Sequence, residues 1–180
     1  MKLHEHYNKT IRKAMQEKFG YRNMMAIPKI TKVSLNVGVG RMTKDKAFVD
    51  SVATSIARIT GQKPVMTKSR KSISAFKVRE GQIVGVVATL RGERMYDFLT
   101  KLINVTFPRV RDFRGISDAI VDRTGNMSIG FKEHLPFPEV KADEVDNVHG
   151  LEVTITTNAK NREEGLELFR LFGFPFKKTA

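Results

Sequence analysis

The apolar residues of this 180-residue chain recur at two different spacings, and the alternation between them restricts the fold more than any other feature. Around Lys32 the period is two: Val33, Leu35 and Val37 share one side, and Lys32, Ser34 and Asn36 the other. Ile83 to Arg91 repeats this, with Val84, Val86, Ala88 and Leu90 opposite Gly85, Val87, Thr89 and Arg91. So do Asn126 to Phe131 (Met127, Ile129 and Phe131 inward) and the run Leu151, Val153, Ile155. Val65 to Ser69 can add a short strand. Strands with one apolar and one polar face predict an α+β fold, an open, mostly antiparallel sheet with helices on one face only.

Helical spacing fills the intervals. Leu3, Tyr7, Ile11, Met15 and Phe19 form a stripe with Ala14 beside it, stopped by Gly20, and Lys2, Lys9, Arg12, Lys13 and Lys18 lie on the other face. Phe48, Val52, Ile56 and Ile59 predict a second helix, with Thr43 as its N-cap and Gly61 as its stop. Met95, Phe98, Leu99, Leu102 and Ile103 predict a third that ends before Pro108. Asn161 and Glu164 have capping-box spacing before a fourth, closed by Gly173 and Pro175. No composition break or internal repeat divides the chain, so residues 1–180 read as one domain.

Charge points to a partner. Ser51 to Arg79 contains no Asp or Glu over 29 residues, yet carries Arg58, Lys63, Lys68, Arg70, Lys71, Lys77 and Arg79. Such charges repel one another unless a polyanion lies nearby, and a phosphate backbone supplies one. Residues 1–50 are +7 and 51–100 are +6, whereas 101–150 are −1 and 151–180 are +1. The whole excess of +13 therefore belongs to the first hundred residues, which indicates one basic face and a separate acidic surface. Ser34, Asn36, Thr89, Arg91, Asn126, Ser128, Thr154 and Thr156 share the polar sheet face, and Gly85 and Gly130 would let a ligand approach the backbone. Small donors and acceptors of this kind suit sugar hydroxyls and splayed bases. The competing reading of the same features is a solvated loop and an ordinary wet sheet face.

Catalytic and metal-binding classes find no support. Asn36-Val37-Gly38-Val39-Gly40 resembles a dinucleotide-binding turn, but its third glycine should fall where Thr43 stands. The chain has no G-x-x-x-x-G-K-[ST] phosphate loop and no cysteine. His4 and His6 lack a third ligand and read as a frayed N-terminus. Asp143, Glu144 and Asp146, with His149 near, lack the spacing and central Gly of a calcium loop and read as a solvated or protein-facing acidic segment. Nothing pairs a nucleophile with a base, so the expectation is a non-enzyme without cofactor, metal or small-molecule substrate. With neither a signal peptide nor a membrane-spanning run, a cytoplasmic protein with no membrane contact is expected.

The segment Ile56-Ala-Arg-Ile-Thr-Gly-Gln-Lys-Pro-Val-Met-Thr-Lys-Ser-Arg-Lys-Ser72 closely resembles the signature of bacterial ribosomal large-subunit protein five, a 5S rRNA-binding family. Asn36 to Gly40, Pro108 to Gly115, Gly125 to Gly130 and Phe137-Pro138-Glu139 resemble it in the same order, so the likeness covers essentially the whole chain. The resemblance implies a structural constituent seated on 5S rRNA and large-subunit rRNA in the central protuberance. It implies RNA contacts from Asn36, Gln62, Thr67, Thr89 and Arg91, with Gly38, Gly40, Lys63, Lys68, Ser69, Arg70 and Lys71 around them. It further implies that a loop including Ser72, Ser74, Lys77, Arg79 and Gln82 reaches the peptidyl-site tRNA. The acidic segment, with Glu139, Asp143, Glu144 and Asp146, would meet a basic small-subunit protein across the subunit interface. Two other classes fit a basic face: an RNA-modifying enzyme, which would show turnover on rRNA, and an anionic-lipid binder, which would sediment with liposomes despite competing RNA.

Overall fold

The computed structural model describes residues 3–40, 42, 45–140 and 148–177. Strands β1 (Ile30–Gly38), β2 (Val65–Lys68), β3 (Ile83–Leu90), β4 (Met127–Phe131) and β5 (Leu151–Thr157) form one open sheet in the order β2-β3-β1-β5-β4. Pairing is antiparallel, with Thr67 of β2 opposite Gly85 of β3 and a bulge between Thr67 and Lys68. The alternation in sequence becomes alternation in burial: Val33, Leu35 and Val37 are buried and Asn36 is exposed, and Leu151, Val153 and Ile155 are buried with Glu152 exposed. Helices cover the apolar face, as expected.

Helix α1 runs through Leu3–His6, Tyr7–Ile11 and Arg12–Phe19. Its middle segment is a π turn, in which the Arg12 N–H donates to the Tyr7 carbonyl. The apolar spacing supplies a reason for it. Residues spaced by four drift ~40° per step around a regular helix, and one π insertion sets the stripe back by ~100°. Tyr7, Ile11 and Met15 consequently stay buried together. His4 and His6 lie in the first turn of this helix rather than in a frayed end, and the His4 ring packs 4.9 Å from that of Tyr96.

Helix α2 (Lys46–Thr60) begins at Asp45, whose carboxylate accepts the Phe48 N–H at 3.2 Å. The expected cap, Thr43, lies outside the described residues; an aspartate favours the start of a helix through both hydrogen bond and dipole. Gly61 ends α2 in the left-handed region (φ +66°), its N–H donating to the Ala57 carbonyl at 2.8 Å.

Helix α3 (Gly92–Lys101, Leu102–Thr106, Phe107–Arg109) does not end before Pro108. A second π turn occupies Leu102–Thr106, where the Phe107 N–H donates to the Leu102 carbonyl. Proline's ring collides with the carbonyl four residues back in a regular helix, and the widened turn relieves that collision. In helix α4 (Arg162–Leu171) the Asn161 side chain makes no capping bond; Glu164 instead accepts the Lys160 N–H at 2.9 Å.

The chain packs as two compact units, and every strand except β2 contributes residues to both. The first unit comprises residues 1–33, 90–129 and 154–180. Aromatic rings interlock in its core: Phe169 meets Phe174 edge-on at 5.4 Å, Phe107 meets Phe174 at 6.2 Å, and Tyr7 stacks on Phe172 at 5.8 Å. The Tyr7 hydroxyl donates to the Pro28 carbonyl at 3.0 Å, and burial pushes its pKa up to about 12. Here α4 crosses the turn before β4 so closely that a side chain on Gly165 would overlap the Gly125 backbone. The second unit comprises residues 34–89 and 130–153, where Val49, Val52, Ile56 and Ile59 of α2 are buried.

Candidate nucleic-acid interface

Within the second unit the polar sheet face is built around a glycine. Antiparallel register puts Thr67 opposite Gly85, and the next strand, β1, brings Asn36 to the same place. A Cβ on Gly85 would stand 2.9 Å from Thr67 Oγ1, 3.2 Å from the Val37 carbonyl oxygen and 3.7 Å from Asn36 Oδ1. Gly85 is therefore not an opening for a ligand; the chain's own threonine fills its space. Gly130, by contrast, faces open space, as do Gly38 and Gly40. The Asn36 amide and the Thr67 and Thr89 hydroxyls have no hydrogen-bond partner among the described residues. Asn36 is exposed and the threonines half-buried, so their donors and acceptors remain available to an external partner.

Other predicted residues hold the framework. The Gln62 amide donates to the Thr89 carbonyl at 3.2 Å, which ties the turn after α2 to β3. Asn126 is removed from the ligand-facing set: its amide nitrogen donates to Asp122 and Thr124, and its amide oxygen accepts the Thr157 N–H at 2.9 Å. In the first unit, Ser128 and Thr154 satisfy each other at 3.0 Å.

The arm beyond β2 is ordered by its own hydrogen bonds. The Ser69 N–H donates to the Gln82 carbonyl at 2.8 Å, and the Gly81 N–H to the Ser69 carbonyl at 2.9 Å. Ile73 and Val78 exchange reciprocal backbone bonds of 2.9 and 3.2 Å around a 3-10 turn at Ser74–Phe76. Ser72 Oγ accepts the Glu80 N–H and Gln82 Oε1 accepts the Arg79 N–H, so these two side chains shape the arm. Ser69 Oγ likewise donates to the Lys71 carbonyl. Lys63, Lys68, Arg70, Lys71, Lys77 and Arg79 line this region, and none has an acidic partner among the described residues. Ser74 is exposed at the tip. Arg91 belongs to the first unit, where it is the exposed N-cap residue of α3.

Phe76 escaped the sequence reading although it is 74% exposed at the tip of this arm. Its signal was a lone aromatic in Ser74-Ala75-Phe76-Lys77, belonging to no apolar period. Of the predicted acidic surface, Glu139 is half-buried, and Asp143, Glu144 and Asp146 lie outside the described residues. The described residues contain no group of three His, Asp or Glu side chains able to hold a metal ion. His149, close in sequence to the acidic run, is buried and stacks on His134 with ring centroids 4.0 Å apart.

The exposed Asn36 and the half-buried Thr67 and Thr89 share a unit with six cations that lack acidic partners among the described residues, an arrangement whose chemistry suits a polyanion. Comparison with known proteins agrees. The family profile described as ribosomal protein L5 matches residues 23–79, and the profile for the C-terminus of the same ribosomal family matches residues 83–176. The large ribosomal subunit protein uL5 of Halothermothrix orenii is 51% identical over 176 residues, covering 98% of both chains. That of Desulforapulum autotrophicum is 52% identical over 175 residues, covering 97% of this chain and 98% of its own. That of Colwellia psychrerythraea is 47% identical over 179 residues, covering 99% of each. Such proteins are non-enzymatic, rRNA-associated and cytoplasmic in bacteria. With two consecutive profiles spanning the fold and relatives aligned almost end to end, the chain belongs to the bacterial uL5 family of structural proteins of the large ribosomal subunit.

Proposed function

We propose that the second unit grips 5S rRNA in the central protuberance of the large subunit. The observation that carries this reading is the row Thr67–Gly85–Asn36, which offers unpartnered donors and acceptors on a framed surface flanked by unpaired cations. Lys63, Lys68, Arg70 and Lys71 neutralise phosphates and release counterions, while Asn36, Thr67 and Thr89 set register on the RNA; Arg91, exposed at the start of α3 in the first unit, adds a contact of its own to 5S rRNA. Gln62 acts by holding the turn that carries Lys63. Beyond β2, the arm with Ser74, Lys77 and Arg79 extends to peptidyl-site tRNA. The acidic segment from Glu139 through Asp143, Glu144 and Asp146 meets a basic small-subunit protein, which gives the charge asymmetry its second partner.

A filter-binding titration of 5S rRNA against salt tests the first contact. Roughly five to seven phosphate contacts, each contributing about −0.7, give a log–log slope near −4 to −5. A flat response would remove the proposal.

A further inference from the structure

Phe76 has 74% of its surface exposed, and neighbouring Ile73 has 46%. Neither is there by disorder. The 3-10 turn Ser74–Phe76 is closed by the Ile73–Val78 bonds and by the Lys77 N–H donating to the Ser74 carbonyl at 3.0 Å. Lys77 itself takes the left-handed conformation at φ +54°, unusual for a residue with a side chain. The turn thus presents an apolar ring outward, where exposure is unfavourable unless a partner covers it.

Charge restricts that partner. Arg70, Lys71, Lys77 and Arg79 surround the ring in sequence, with Glu80 the one acid between Ser51 and Gly92. An apolar protein surface covering Phe76 would have to desolvate these cations without compensation. A nucleobase solves both problems, because it offers a flat π face within a polyanion. We infer that Phe76 stacks on an exposed nucleobase of the RNA that the arm meets, while Lys77 and Arg79 hold the adjoining phosphates. The inference rests on the arm's proposed contact with tRNA and specifies its chemistry: shape and stacking, tolerant of which base is present.

The chain contains no tryptophan, so Phe76→Trp adds one fluorophore at the contact, read as the difference in emission between variant and wild-type subunits. Large subunits carrying this variant are titrated with deacylated tRNA, alongside subunits with Phe76→Leu and with the pair Lys77→Gln and Arg79→Gln. Stacking predicts quenching of the new tryptophan, wild-type affinity for Phe76→Trp, and roughly tenfold weaker tRNA binding for Phe76→Leu. The leucine keeps an apolar side chain at an exposed site, so an unchanged melting curve separates lost stacking from lost folding. An unquenched tryptophan and wild-type binding by Phe76→Leu, with binding weakened only by the Lys77 and Arg79 substitutions, would overturn stacking and leave the arm's tRNA contact standing. Wild-type binding by all the variants would overturn both.

Discussion

The first unit and the arm of the second use the same chemical groups in opposite ways. Around Phe169, Phe172 and Phe174, rings contact rings, and charged side chains find partners: Lys18 meets Glu167 at 2.7 Å, and Arg170 meets Asp118 at 3.0 Å. On the arm, Phe76 is exposed and the cations lack acidic partners among the described residues. Glycine shows the same division. Gly165 lets two backbones touch, which serves packing alone. Gly85 makes room for a hydroxyl that has no hydrogen-bond partner among the described residues, which leaves that hydroxyl available to a partner outside the chain.

Substitution at Gly165 should break this comparison most severely. In Gly165→Ala the new methyl overlaps the Gly125 backbone, which cannot swing aside as a side chain could. A loss of about 3 kcal/mol in urea unfolding is expected, with the salt slope of 5S rRNA binding unchanged in the folded fraction. A changed slope would show that the packing region and the binding region are not separable.

Arginine substitutions sharpen the comparison by setting Arg91 of the first unit against Arg79 of the arm. Arg91→Ala should weaken 5S rRNA binding roughly tenfold, and Arg79→Ala less than about twofold, because the arm is assigned to a different RNA. Equal losses in parallel filter-binding titrations would dissolve the division.

The smallest effect is expected at the turn before β4. Partial burial alone would raise the Asp122 pKa. It is outweighed by hydrogen bonds from the Asn126 N–H and amide at 2.7 and 3.0 Å and from the Thr124 N–H and hydroxyl, both at 2.9 Å, which together lower it. A depressed folded-state pKa means that the stabilisation is complete above the unfolded value and is lost as pH falls through the folded one. Asp122→Asn should therefore melt a few degrees below wild type near neutral pH, with the gap closing below about pH 4. A gap independent of pH in thermal melts would assign the turn's stability to something other than this carboxylate.

Much of this division was legible in the sequence. Strand faces, four helices, the acid-free window and the family segments all depend on residues near one another in the chain, and periodicity reports such relations directly. The pattern erred where its local rule met a local exception. Proline should have ended α3, yet a π turn carries the helix through Pro108, and α1 uses the same device to keep a period-four stripe on one side.

What the sequence determined by itself is the sheet with one polar face, the placement of positive charge in the first hundred residues, and membership of the uL5 family. What only the tertiary structure decided is which polar side chains remain free. Asn36 and Asn126 look alike as asparagines on a polar strand face. The first is unpartnered among the described residues, while the second accepts the Thr157 N–H from 31 residues away. Gln62 is likewise held by the Thr89 carbonyl 27 residues on, whereas Thr67 keeps its hydroxyl. Burial follows short-range periodicity, but a hydrogen bond is satisfied by whatever the fold brings within about 3 Å, so the free groups emerge only when distant strands meet.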